Sequence, residues 1–236
     1  IGISFGWKIY ISLYFVIAIF FILKISKYLK MHEQFNLSLF AVSLFPGLTI
    51  VLGRFGTPDL LTLSLGILSG LSKGKQKYIY MTFLVLSHVE NALVICLVIL
   101  LSSSIPRLRI ESKAFFGSTR CYLYGLLLSG IFAFANMILI PENSRFGQFS
   151  KLIDISLVQF FASGTWLIYS WFGGLWLFVI HLYRKMSKEL FEVNLVAIVL
   201  LGLFSIITAD GTRVAENLLS VYFASLLNWA NHNKSY

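Results

Sequence analysis

The sequence predicts an all-α fold, a polytopic transmembrane helical bundle with about 6 to 8 spans and one or two re-entrant or interfacial half-helices. Three observations predict it. The 236 residues are 58% hydrophobic and only 12% charged, whereas roughly a quarter of an ordinary soluble domain is charged. The mean hydropathy is +0.82, and several apolar runs approach the length needed to cross a bilayer core of roughly 30 Å. Those runs are continuous and lack the alternation of barrel strands, and lipid leaves only helices or closed barrels to satisfy the backbone.

Spans are expected at 7–28, 36–53, 78–101, 121–140, 165–182 and 190–208. Three further apolar stretches lie at 58–71, 153–163 and 213–230, and the first two are short enough for re-entrant or interfacial half-helices. Pro46-Gly47 should kink the second span, while Pro58 is well placed to start a helix. The first run, followed by Lys24, Lys27 and Lys30, reads as a retained span rather than a cleaved signal. Without internal repeats or low-complexity linkers, residues 1–236 read as a single integral membrane domain.

Nineteen Lys and Arg against ten Asp and Glu give a net charge of +9. In this setting the excess points to basic cytoplasmic loops and membrane lipids, and nucleic acid is not expected as a partner. If 58–71 dips in and returns, the loops Lys24–Lys30, Arg107–Arg120 and Arg184–Lys188 share the cytoplasmic face. The KGKQK run at 73–77 then falls outside, against the rule, and Arg54, Asp59, Glu142, Arg145, Asp154, Asp210 and Arg213 gather externally. If 58–71 crosses fully, KGKQK moves inside and the other loops disagree. Cys96 and Cys121 make no disulfide framework.

Ionisable side chains inside a span cost several kcal/mol and are functional candidates by default. His88 and Glu90 lie about ten residues into the 78–101 run, on nearly opposite faces of a continuous helix, with His88 sharing a face with Asn91. Each either bonds a neighbouring helix or acts as a base or proton carrier at a polar cavity. In the turn Arg54-Phe55-Gly56-Thr57-Pro58-Asp59, Asp59 falls in the first turn of the following helix, where it balances the dipole. Arg54 beside that helix start makes a phosphate seat. In Ala209-Asp210-Gly211-Thr212-Arg213, Asp210 can cap the last helix and pair with Arg213, whose planar fork suits a phosphate or carboxylate. Asn143, Arg145 and Gln148 of the PENSRFGQ loop can join the same surface. There is no phosphate loop, HExxH, CxxC or GxSxG pattern, and the histidines at 32, 88, 181 and 232 lack metal-ligand spacing, so neither metal nor cofactor is expected.

FGTPDLLTLSLGIL, then LSHVENALV, then ITADGTRV together resemble bacterial polytopic proteins of cell-surface polysaccharide synthesis, nearest to the O-antigen or capsule polymerases. The resemblance implies a glycosyltransferase of the bacterial inner membrane that moves sugar units from a polyprenyl diphosphate carrier at the external face. Arg54, Arg145 and Arg213 would hold the diphosphate; Asp59, His88 or Glu90 would deprotonate the acceptor; Asp210 and Asn91 would support them. Two other classes remain open on the residues alone: an accessory subunit contacting partner membrane subunits, and a small proton-linked transporter using His88 and Glu90.

Overall fold

The computed structural model describes residues 59–139, 171–206 and 211–232, with 12, 16, 19, 20, 23–27, 158, 164, 168 and 169; the side chains of 206, 211–213 and 231–232 are excluded. The described residues form helices and no strand. In chain order the helices are α1 (Asp59–Leu71), α2 (Gly74–Ser87), α3 (Val89–Ser104), a 3-10 turn at Pro106–Leu108, α4 (Arg109–Phe116), α5 (Thr119–Leu139), a 3-10 turn at Gly173–Leu175, α6 (Trp176–Tyr183), α7 (Lys188–Ile206) and α8 (Gly211–His232). The expected elements at 58–71, 121–140, 190–208 and 213–230 correspond to α1, α5, α7 and α8. The expected span at 36–53, with its Pro46-Gly47 kink, lies outside the described residues.

The run 78–101 is not one span. It breaks at His88, whose extended backbone (φ −160°, ψ 90°) ends α2 and starts α3. The break has local causes: the Ser87 hydroxyl donates to the Leu84 carbonyl (2.9 Å), and His88 Nδ1 accepts from the Asn91 N–H (3.4 Å), capping α3. Cys96 Sγ meets Met81 Sδ at 3.6 Å. In a straight helix these residues would stand roughly 22 Å apart, so the chain folds back on itself at His88. The 165–182 span is likewise interrupted, at Gly173 (φ 50°).

The centre of the bundle is the α1–α8 pair. All of α1 except Leu61 is buried, so of the two expected forms of 58–71 the interfacial one is excluded: α1 is an interior helix. Asp59 meets Asn217, Gly66 abuts Ser220, and Gly70 abuts Ala224, so the two helices run parallel. A Cβ at Gly70 would stand 2.6 Å from the Ala224 Cβ and 2.8 Å from the Val221 carbonyl oxygen; glycine is what lets the backbones approach this closely.

Polar residues are concentrated inside. Ser102, Ser103 and Ser225 donate to the carbonyl four residues earlier, Ser69 and Ser205 to the one three earlier, and Asn194 Nδ2 donates to the Leu190 carbonyl. The serine hydroxyls are satisfied locally while buried, as is Asn194 Nδ2, whereas Asn194 Oδ1 has no partner among the described residues. Apolar side chains face outward instead: Ile79, Phe83 and Leu86 on α2, and Leu127, Ile131, Phe134 and Ile138 on α5. Among the described helices one, α5, is long and apolar enough by itself to cross a membrane; α3 and the Pro106–Phe116 segment pass the same test only as a pair bent by 99°.

The fold at His88 also corrects the expected orientation. Lys77 donates to the Phe116 carbonyl, and Arg107 pairs with Glu192 near the start of α7 (2.9 Å). The basic runs 73–77, 107–120 and 184–188 therefore share one end of the bundle. Neither expected arrangement of 58–71 allowed this, because both treated 78–101 as a full crossing. Asp59, at the start of α1, lies at the opposite end from Lys73 and Lys77.

Candidate functional site

The end opposite the basic runs carries a connected set of polar groups. Asp59 opens α1, where its charge is favoured by the helix dipole. It is only 3% exposed, and its Oδ1 accepts from Asn217 Nδ2 at 3.1 Å. That bond joins segments 158 residues apart in sequence. Asn217 is itself held by α8, with Ser220 Oγ donating to its carbonyl at 2.6 Å. The neighbouring Glu216 is fully buried, which places a second carboxyl group on the first turns of α8. Burial of both carboxylates is costly unless hydrogen bonds or cations meet them, so this end of the α1–α8 pair is built around polar contacts.

One turn along α1 from Asp59, Thr62 Oγ1 donates to Ser87 Oγ at 3.4 Å. Ser87 is the last residue of α2, so the contact ties the α1 terminus to the His88 break. Asp59 and the His88-Val89-Glu90-Asn91 turn thus belong to the same end, linked through Thr62 and Ser87. The break also corrects the expected relation between His88 and Glu90. They are not opposite faces of a mid-span helix: His88 is the cap between two helices and Glu90 sits in the first turn of α3. Asn91 is buried and meets His88 through its backbone N–H at the cap, not along a shared face of one helix, and its Nδ2 has no hydrogen-bond partner among the described residues. The same is true of Asn217 Oδ1.

Of the other expected site residues, Arg54, Arg145 and Asp210 lie outside the described residues. Arg213 lies on α8 four residues before Asn217, hence on the same helical face, and its side chain is outside the described set. The structure brings Asp59 together with Asn217 and, through Thr62 and Ser87, with the His88 turn. Glu216 and Asn217 were missed in the sequence because 213–230 reads as an apolar stretch. The signal was present in Val214-Ala215-Glu216-Asn217-Leu218-Leu219: a carboxylate and an amide inside an apolar helix, the same pattern that singled out Glu90 and Asn91.

Among the described residues no group of three or more His, Cys, Asp and Glu is arranged to hold a metal ion, and Cys96 and Cys121 are buried free thiols. Chemically, the site offers carboxylates able to take a proton, an amide able to orient one of them, and a helix break that places His88 and Glu90 beside each other at a helix start. No family model, curated protein or solved structure matches the chain.

Proposed function

We propose that the chain is a polytopic integral membrane protein that transfers sugar units from a polyprenyl diphosphate carrier, with its reaction centre at the Asp59 end of the α1–α8 pair. The observation that carries this reading is the Asp59–Asn217 hydrogen bond. It unites Thr57-Pro58-Asp59-Leu60-Leu61 and Arg213-Val214-Ala215-Glu216-Asn217, adjoining two of the three motifs on which the resemblance to polysaccharide polymerases rests. Two further features support it. Polar side chains lie inside while leucine, isoleucine and phenylalanine line the outside of α2 and α5, an arrangement suited to lipid. The shared end of the basic runs fits a cytoplasmic face, and Asp59 lies at the end of α1 directed away from it, as transfer toward the external side requires.

In this mechanism the acceptor hydroxyl gives its proton to the Asp59 carboxylate as its oxygen bonds to the anomeric carbon. The carbon–oxygen bond to the carrier breaks, and the diphosphate leaves with the electron pair. Asn217 fixes the carboxylate, and Arg54, Arg145 and Arg213 compensate the charge on the leaving group. The test uses purified protein in nanodiscs, with undecaprenyl diphosphate binding followed by native mass spectrometry and transfer measured on glycan-loaded carrier lipid. Asp59→Asn, which keeps an acceptor for Asn217, should abolish transfer and retain binding, while Arg213→Ala should weaken binding. Full transfer by both variants overturns the reading.

A second reading, a proton-linked carrier, is favoured by the helix break at His88 with Glu90 in the next turn, since discontinuous helices frame transporter sites. It predicts proton flux into liposomes that Glu90→Gln and His88→Ala remove, with no sugar transfer by the unaltered protein.

A further inference from the structure

At the basic end of the bundle, far from Asp59, a cavity of about 390 Å³ opens between the end of α1, the start of α2, α4 and the end of α8. Lys73, Lys77, Glu111, Gly117, Asn228 and Trp229 contribute to its walls. Its size is within the range of small-molecule sites. Lys77 stands out because it is 4% exposed and has no carboxylate partner among the described residues. An ammonium has three donors. One goes to the Phe116 carbonyl, and the Tyr122 ring lies 4.6 Å from Nζ, leaving donor capacity unused among the described residues. A buried ammonium is costly unless an anion or several hydrogen bonds meet it.

We propose that this cavity binds the phosphodiester headgroup of an anionic lipid, with the Lys77 ammonium as the buried contact and Lys73 at the mouth. The charge of the lining favours a singly charged group, since Lys73 and Lys77 supply two positive charges and Glu111 offsets one of them. Gly117 keeps the ammonium reachable, since a Cβ there would stand 3.2 Å from Nζ, and its φ of 80° suits glycine. Burial pulls the Lys77 pKa down from 10.5 to about 8, so it keeps its charge at neutral pH. The basic runs 107–120 and 184–188 at the same end supply the attractive field that draws anionic headgroups to a cytoplasmic surface. The site is separate from the proposed transfer centre, and only its lipid source rests on the chain being membrane-embedded.

The test is native mass spectrometry of the full chain released from nanodiscs of phosphatidylcholine with phosphatidylglycerol. The unaltered protein should retain phosphatidylglycerol over phosphatidylcholine, and Lys77→Met, which keeps the aliphatic stem, should lower that retention by about tenfold or more. Ala114→Glu, placed on the exposed wall of the cavity, should weaken retention similarly while leaving Lys77 in place, so the test survives if Lys77→Met fails to fold. Calorimetry with inorganic phosphate and glycerol 3-phosphate separates the sources. No binding by these soluble anions, with lipid retained, upholds the lipid headgroup; tight binding of them without lipid selectivity overturns it, as does equal lipid retention by the unaltered protein and the folded variants.

Discussion

Replacing Gly70 with alanine tests the geometry on which the functional site depends, because Gly70 meets the backbone of α8 itself. The added Cβ would stand 2.6 Å from the Ala224 Cβ and 2.8 Å from the Val221 carbonyl oxygen. Carbon atoms prefer roughly 3.5–4.0 Å, so the helices must part by about 1 Å. Neither neighbour can rotate away, one being a methyl fixed to its backbone and the other the backbone itself. Overpacking of this kind costs about 1–3 kcal/mol, and rigid neighbours place Gly70→Ala near the upper value. Alanine's better helix propensity offsets about 1 kcal/mol, for a net loss of about 2 kcal/mol. Gly130→Ala is the matched control: Gly130 lies within α5 with nothing within 4 Å of its Cβ position, so the same change should gain up to about 1 kcal/mol. Equilibrium unfolding in mixed detergent–SDS micelles, followed by circular dichroism, should separate the two variants by about 3 kcal/mol. If Gly70→Ala is as stable as Gly130→Ala, the close parallel pairing of α1 and α8 is wrong.

A double-mutant cycle of Asp59→Ala and Asn217→Ala should give a coupling of about 1.5–3 kcal/mol in the same unfolding assay, the range for a hydrogen bond to a charged group; strict additivity would break the proposed link between the two segments. Lys77 makes stability depend on alkaline pH. With its folded pKa at about 8 and its ordinary value at 10.5, the unfolded chain holds the Lys77 proton between those values and the folded chain does not, so the Lys77 contribution to stability should rise with pH across that window by about 3 kcal/mol. It is read as the stability of the unaltered protein minus that of Lys77→Met at each pH, because the titration of the neighbouring Lys73, Glu111, Cys96, Cys121 and Tyr122 is common to both; a difference that stays flat from pH 8 to 10.5 refutes it. Arg107→Gln, by contrast, should cost less than about 1 kcal/mol, because the Arg107 side chain in the 2.9 Å pair with Glu192 is 74% exposed; a larger loss in thermal unfolding would mean the pair anchors α7.

The amino-acid sequence by itself determined that this chain is helical and apolar, where α1, α5, α7 and α8 run, and that Asp59 opens a helix, because hydropathy, length and first-turn charge are local properties. The break at His88 was also written locally, in Ser87-His88-Val89-Glu90-Asn91, whose polar cap and early carboxylate are helix-start signals. Hydropathy outweighed them, since a continuous apolar run scores the same whether straight or folded back. Only the tertiary structure decided what that fold does: it brings three basic runs to one end, buries Lys77 against Phe116 and Tyr122, and turns Glu216 and Asn217 toward prominence in a helix that composition alone marks as apolar. The physical reason is that the partner of each of these groups lies far away in the chain, as Asn217 does from Asp59, and burial and hydrogen bonding between distant segments have no local signature.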